Sequence, residues 1–171
     1  MQMFLTDTER AAKPDMDRLM AEYGAGLLRL CCLYLKDRAQ AEDAVQDTFV
    51  KVYEKYDTFE GRSSEKTWIT AIAVNTCRNY LRSPWHRRNV GEEGLYLVEQ
   101  APPELPDGTV IQAVMKLPTK YREVILLAYY QDMKLRDIAA MLGVPLPTVS
   151  TRLKRARRML EDALKEWYYD E

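Results

Sequence analysis

Near the C-terminal end, a short run of helical apolar spacing from Lys134 to Leu142 halts at Gly143, turns through Val144-Pro145-Leu146 and resumes from Pro147 to about Leu164. Glycine tolerates the left-handed backbone that ends a helix, and proline fits a first helical turn because its missing N–H has no partner to lose there. Helix, tight turn and second helix make a helix-turn-helix pattern. On the second helix Val149, Leu153, Ala156, Leu160 and Leu164 share one face, leaving Ser150, Thr151, Lys154, Arg155, Arg157 and Arg158 outside. Five of the seven residues 152–158 are basic. Short hydroxyls at the start of a recognition helix, with cations one turn later, suit base edges and phosphates in a major groove. A solvated cationic face would explain the charge, but not the glycine stop, the proline turn and the apolar spacing together.

Upstream, helical spacing recurs in a separate block. Met16, Leu19, Met20, Tyr23, Leu27, Leu30, Cys31 and Tyr34 define an amphipathic helix over 16–35. A second runs from about Ala39 to Tyr56, with Ala41, Val45, Phe49, Val52 and Tyr56 on one stripe and Glu42, Asp43, Gln46, Asp47 and Glu54 displayed elsewhere. Carboxylates in the first half of a helix favour the macrodipole, so this acidic face alone does not require a partner. A third helix, about Thr67 to Leu81, follows the polar stretch from Asp57 to Lys66 and is stopped by Ser83-Pro84. Its stripe is Trp68, Ile69, Ile72, Ala73, Thr76, Tyr80 and Leu81; its other face projects Asn75, Arg78, Asn79 and Arg82, with Trp85, His86, Arg87 and Arg88 next. Guanidiniums for phosphates, amides for exposed base edges and rings for unstacked bases suit single-stranded nucleic acid.

Charge divides the chain. Residues 1–90 carry 14 Lys/Arg against 13 Asp/Glu, residues 91–110 carry no basic and five acidic residues, and residues 111–171 carry 11 against 8. The acidic stretch also holds Gly91, Gly94, Pro102, Pro103, Pro106 and Gly108, which marks a linker. The expected organisation is all-α: two small helical domains, 1–90 and 109–171, joined by a flexible acidic linker over 91–108, the second domain a helix-turn-helix. Within the second domain, a short helix reaching Leu117 and another opening at Leu117-Pro118-Thr119 precede the helix-turn-helix.

Several functions are excluded early. No apolar run approaches the roughly 20 residues that cross a bilayer, and residues 1–15 are too polar for a signal peptide, so the chain is expected to be cytoplasmic, without membrane insertion. Three cysteines, none in a C-x-x-C pair, indicate reduced core thiols rather than disulfides or zinc. One histidine and no P-loop leave no catalytic constellation, so no enzyme activity, cofactor, metal or small-molecule substrate is expected.

The segments AEDAVQDTFVKVY (41–53), TWITAIAVNTCRNYLR (67–82), LPTKYREVILL (117–127), DIAAMLGVP (137–145) and TVSTRLKRAR (148–157), in this order and flanking a linker, resemble sigma factors of bacterial RNA polymerase, specifically the two-domain extracytoplasmic-function type. The resemblance implies that Glu42, Asp43, Gln46 and Asp47 dock on the clamp helices of the polymerase beta-prime subunit, with the beta flap as a further contact. It implies that Arg62, Ser63, Lys66, Trp68, Asn75, Arg78, Asn79 and Arg82 melt and read the minus-ten element. Thr148, Ser150, Thr151, Arg152, Lys154, Arg155 and Arg158 are then the minus-thirty-five contacts on duplex DNA. An anti-sigma factor is the implied regulator, and the acidic linker resembles the segment that occupies the template-strand or RNA-exit path. Pro147 and Ser150 depart from the usual glycine and Lys/Arg, the second of which shifts the expected minus-thirty-five preference. A stand-alone helix-turn-helix regulator binding a palindrome as a dimer is the competing reading.

Overall fold

The computed structural model describes residues 13–84 and 108–169, and every regular element among them is helical. The expected linker, apart from Gly108, and the segment Trp85 to Arg88 lie outside the described residues. Helix α1 spans Met16–Leu35, α2 Arg38–Lys55 and α3 Glu65–Arg82. Each begins at a side-chain cap: Asp15 accepts from the Arg18 amide (3.1 Å), Asp37 from the Gln40 amide (3.0 Å) and Ser64 from the Thr67 amide (3.0 Å). The Ser64 cap starts α3 two residues earlier than the apolar spacing alone suggests. Between α1 and α2 the chain reverses at Lys36, which adopts the left-handed conformation (φ 58°) and returns its amide to the Cys32 carbonyl at 2.9 Å.

Helix α4 spans Gly108–Lys116 and α5 Thr119–Ile125; α6 spans Leu135–Leu142 and α7 Leu146–Tyr169. Gly143 ends α6 at φ 67°, and the Val144 amide returns to the Ala139 carbonyl at 3.1 Å, as the glycine stop requires. Directly after α5 the backbone widens over Leu126–Tyr130, where the Gln131 amide bonds the carbonyl five residues back at 3.1 Å. This widening is not legible in the sequence, whose spacing there continues an ordinary helix.

Leu19, Leu27, Phe49, Val52, Ile69 and Ala73 form a core between the first three helices. A second, larger core joins the two units. Leu30, Tyr34, Leu35, Val74 and Cys77 of the first unit lie in one cluster with Val124, Leu126, Leu127, Ile138 and Leu142 of the second. Burying each such aliphatic side chain contributes about 1.5–3 kcal/mol, so the seam between the units is a substantial contact. Polar groups complete it. The Arg122 guanidinium, 5% exposed, donates to the Leu117 and Tyr34 carbonyls, both at 3.2 Å. The Tyr34 hydroxyl donates to the buried Glu123 carboxylate.

Cys31 and Cys77 are buried free thiols with sulfurs 3.5 Å apart, and Cys32 is half-buried, so all three serve in or beside the core as expected. The contact with Cys31 and burial both push the Cys77 thiol far up, which leaves it unreactive. No helix among the described residues is long and apolar enough to cross a membrane.

Candidate nucleic-acid interface

On α2, Glu42, Asp43, Gln46 and Asp47 are all exposed on one side. Two of them are already engaged. Glu42 accepts from Arg38 one turn earlier at 3.1 Å, and Asp47 accepts the Tyr80 hydroxyl of α3 at 2.7 Å. Burial and the Asp47 hydrogen bond hold the Tyr80 hydroxyl protonated. Beside the acids runs an open groove lined by Met16, Met20, Leu28, Phe49, Val50 and Tyr53, of which Met20 is 52% and Val50 56% exposed. Glu42 and Gln46 thus border an apolar surface, with Asp43 and Asp47 one step further round the helix.

The α3 face divides in two. Asn75, Asn79 and Arg82 are exposed, as their spacing requires, whereas Arg78 is half-buried and its Nη1 donates to the Leu142 carbonyl of the second unit at 3.3 Å. Val74 and Cys77, outside the stripe read from periodicity, are fully buried because the second unit covers that flank. Arg78 therefore stands at the seam between the units, while its three neighbours face solvent.

Ahead of α3, the loop after Tyr56 is organised by rings and by one carboxylate. Trp68 lies 5.1 Å from the Phe59 ring and packs edge-on to Tyr56 at 5.9 Å. Glu65, in the first turn of α3, accepts from both Arg18 terminal nitrogens (3.1 and 3.0 Å), from the Tyr23 hydroxyl (3.0 Å) and from the Tyr56 hydroxyl (2.6 Å). The Arg18 hydrogen bonds hold the Glu65 carboxyl down at about 2, against partial burial and with help from the two tyrosines. Because the folded value lies below the unfolded one, this contribution is complete above about pH 4.5 and is lost as pH falls toward about 2. The loop carries Arg62, ion-paired to Glu60 at 2.8 Å, with Ser63 half-buried and Lys66 exposed beyond.

On α7, Val149, Leu153 and Ala156 are buried and hold the helix against α5 and α6, so Ser150, Thr151, Lys154, Arg155, Arg157 and Arg158 face outward. Thr148 and Arg152 are half-buried at the margin. Two tyrosines flank these cations. The positive charge of Arg155 favours the ionised form of the Tyr121 hydroxyl and lowers its pKa. Arg157 stacks 5.3 Å from the centre of the exposed Tyr129 ring and donates to its hydroxyl. Spacing places Tyr56 and Tyr80 on apolar stripes but misses the polar contacts of Glu65, Tyr56, Tyr80, Tyr121 and Tyr129, since each acts on a residue from another element; the density of tyrosine, 11 in the chain, is the only hint of them.

Among the described residues, an acidic helix, an amide- and arginine-bearing helix and a cationic helix-turn-helix make the two-module form of a DNA-binding transcription subunit. Residues 19–87 match the model of sigma-70 region 2, and residues 108–160 match that of sigma-70, region 4. The chain is 31% identical to the ECF RNA polymerase sigma factor SigW of Bacillus subtilis over 160 residues, spanning 84% of this chain and 86% of that protein. It is 28% identical over 180 residues to the RNA polymerase sigma-H factor of Pseudomonas aeruginosa, spanning 96% and 93%. Among solved structures, the sigma factor RpoE in complex with the anti-sigma factor NepR from Bartonella quintana superposes with a TM-score of 0.70 at 25% identity, covering 88% of this chain and 97% of that one. CnrH in complex with the cytosolic domain of CnrY gives 0.65 at 28% identity, covering 88% of each. The chain belongs to the extracytoplasmic-function (ECF) group of RNA polymerase sigma factors.

Proposed function

We propose that this sigma factor binds core RNA polymerase through the acidic face of α2, melts and reads the minus-ten element with the 58–66 loop and α3, and holds the minus-thirty-five element as duplex with α7. The observation that carries this reading is the exposure of three chemically distinct faces, acidic on α2, amide and guanidinium on α3, and cationic on α7, each on a helix whose other side is buried. Thr148, Ser150, Thr151, Arg152, Lys154, Arg155 and Arg158 serve the duplex element; Arg62, Ser63, Lys66, Trp68, Asn75, Arg78, Asn79 and Arg82 serve the opened strand. Flipping a base out of the stack costs a few kcal/mol, which ring stacking and hydrogen bonds to the exposed base offset. The domains are 1–90 and 109–171, with 91–108 as the acidic linker, and the chain works in the cytoplasm as a binding subunit without catalysis of its own. An anti-sigma factor is its regulator, a reading supported by the anti-sigma factor NepR named as the partner of RpoE.

The seam between the units bears on this function. The two promoter elements, by their positions, are centred about 25 base pairs apart, roughly 85 Å of duplex at 3.4 Å per base pair. A packed chain of this length has a radius of gyration of about 15–16 Å. Both elements are reached only when the seam opens, and opening frees Arg78 from Leu142.

The test is run-off transcription with purified core polymerase on a library of promoter sequences. Initiation from templates sharing two dissimilar elements supports the reading. Failure to direct initiation, with binding to a palindromic duplex instead, overturns it in favour of a dimeric regulator. In the same assay Arg155→Ala costs about 1–3 kcal/mol, roughly a 5- to 150-fold loss, on promoters that depend on the upstream element. Equal loss on templates without that element removes Arg155 from base reading.

A further inference from the structure

The loop proposed to engage the opened strand is held at its base by contacts that no motif required. Tyr56 immediately precedes it and Glu65 immediately follows it, and the Tyr56 hydroxyl donates to Glu65 Oε2 at 2.6 Å, so one hydrogen bond closes an eight-residue excursion, 57–64. The same carboxylate is fixed by Arg18 and Tyr23 of α1, with both Glu65 oxygens engaged by Arg18. Within the excursion, Phe59 leans on Trp68 at 5.1 Å, and Gly61 takes the turn at φ 71°, a conformation that disfavours other residues. Glu60, Gly61 and Arg62 are left exposed at its tip.

We infer that Glu65 is a positioning residue for promoter recognition: it clamps the two ends of the 57–64 loop together and ties them to α1, so that the loop meets the opened strand already shaped. The inference rests on the reading of this loop as a minus-ten contact. Its physical basis is pre-organisation. An excursion whose ends are joined and whose Phe59 is packed has lost much of its conformational entropy before DNA arrives, so less of the binding free energy is consumed in ordering it. A charge-assisted bond suits the task, because a carboxylate with four donors is held more firmly than a neutral acceptor. Glu65 need not touch DNA; with 18% of its side chain exposed, it acts through Tyr56 and the start of α3.

Two variants of the full chain test this. Glu65→Gln keeps the shape but removes the charge, and Tyr56→Phe removes only the bond across the loop base, leaving the Arg18 pair in place. The first readout needs no DNA: amide hydrogen exchange at 25 °C, pH 7. Both variants are expected to exchange at least 10-fold faster across residues 58–64, with α2, α6 and α7 unchanged. The second readout uses core polymerase and a set of promoters differing at single minus-ten positions. The ratio of initiation on the preferred sequence to that on its variants falls at least 5-fold, while templates already unpaired across the minus-ten element recover most of the lost rate. Loss of fold alone would lower all templates together and leave the ratio unchanged. Unaltered exchange at 58–64 in both variants overturns the clamp, and so does an unaltered ratio in variants that discriminate as well as the parent chain. If the parent chain itself shows no minus-ten preference, the reading of the loop fails and the proposed role falls with it, even where the exchange result shows the clamp to be real.

Discussion

Reversing two charges, Asp43→Lys with Asp47→Lys, is expected to abolish association with core RNA polymerase while leaving the helical content intact. Both carboxylates are exposed on α2, beside Glu42 and Gln46, which line an apolar groove, so a basic partner surface would meet like charge in the variant. Such a juxtaposition costs several kcal/mol, and about 3 kcal/mol already weakens binding roughly 100-fold. The folded state loses little, since among the described residues the hydrogen bond broken is that of Tyr80 to Asp47 at a solvent-exposed site, about 1 kcal/mol. Far-UV circular dichroism and a pull-down or fluorescence titration with core polymerase separate the two effects. Retained transcription by the double variant moves the docking surface away from α2.

The largest loss of stability is expected from Arg122→Ala. This guanidinium is buried between the two units, where burial lowers its pKa while Tyr34 and Glu123 oppose the fall. Truncation leaves the Leu117 and Tyr34 carbonyls without their donor and the buried Glu123 carboxylate without a neighbouring cation. Removing one member of a buried charged group typically costs 3–5 kcal/mol, which for a chain of this size lowers the melting temperature by roughly 10 °C. Arg122→Lys does not restore it, because one ammonium on a flexible stem lacks the planar fork that reaches two separated carbonyls. Thermal unfolding followed by circular dichroism measures both variants; a change under about 1 kcal/mol would show that the seam does not depend on this residue.

Much of the molecule was legible before any coordinates. The α1 boundaries follow from the apolar spacing over 16–35, and Gly143 ends α6 in the left-handed conformation that a glycine stop anticipates. The cationic face of α7 is outward because Val149, Leu153 and Ala156 occupy the inner positions that a period of 3.6 assigns them. Periodicity answers which side of a helix is apolar. It does not answer how many neighbours cover it, so Val74 and Cys77 on α3 fall outside the apolar stripe although a second unit buries them.

The family-like motifs and the order of the two modules were written in the chain itself, because helix spacing, stops and charge pattern are local properties of consecutive residues. The joining of those modules, the capture of Arg78 by the Leu142 carbonyl and the convergence of Arg18, Tyr23 and Tyr56 on Glu65 were decided only by the packed structure. Arg18 and Glu65 are 47 positions apart, as are no two residues that a helical period can relate. A carboxylate on α3 gathers donors from α1 and from the end of α2 only after apolar burial has brought the three helices together, and that burial is a property of the whole chain.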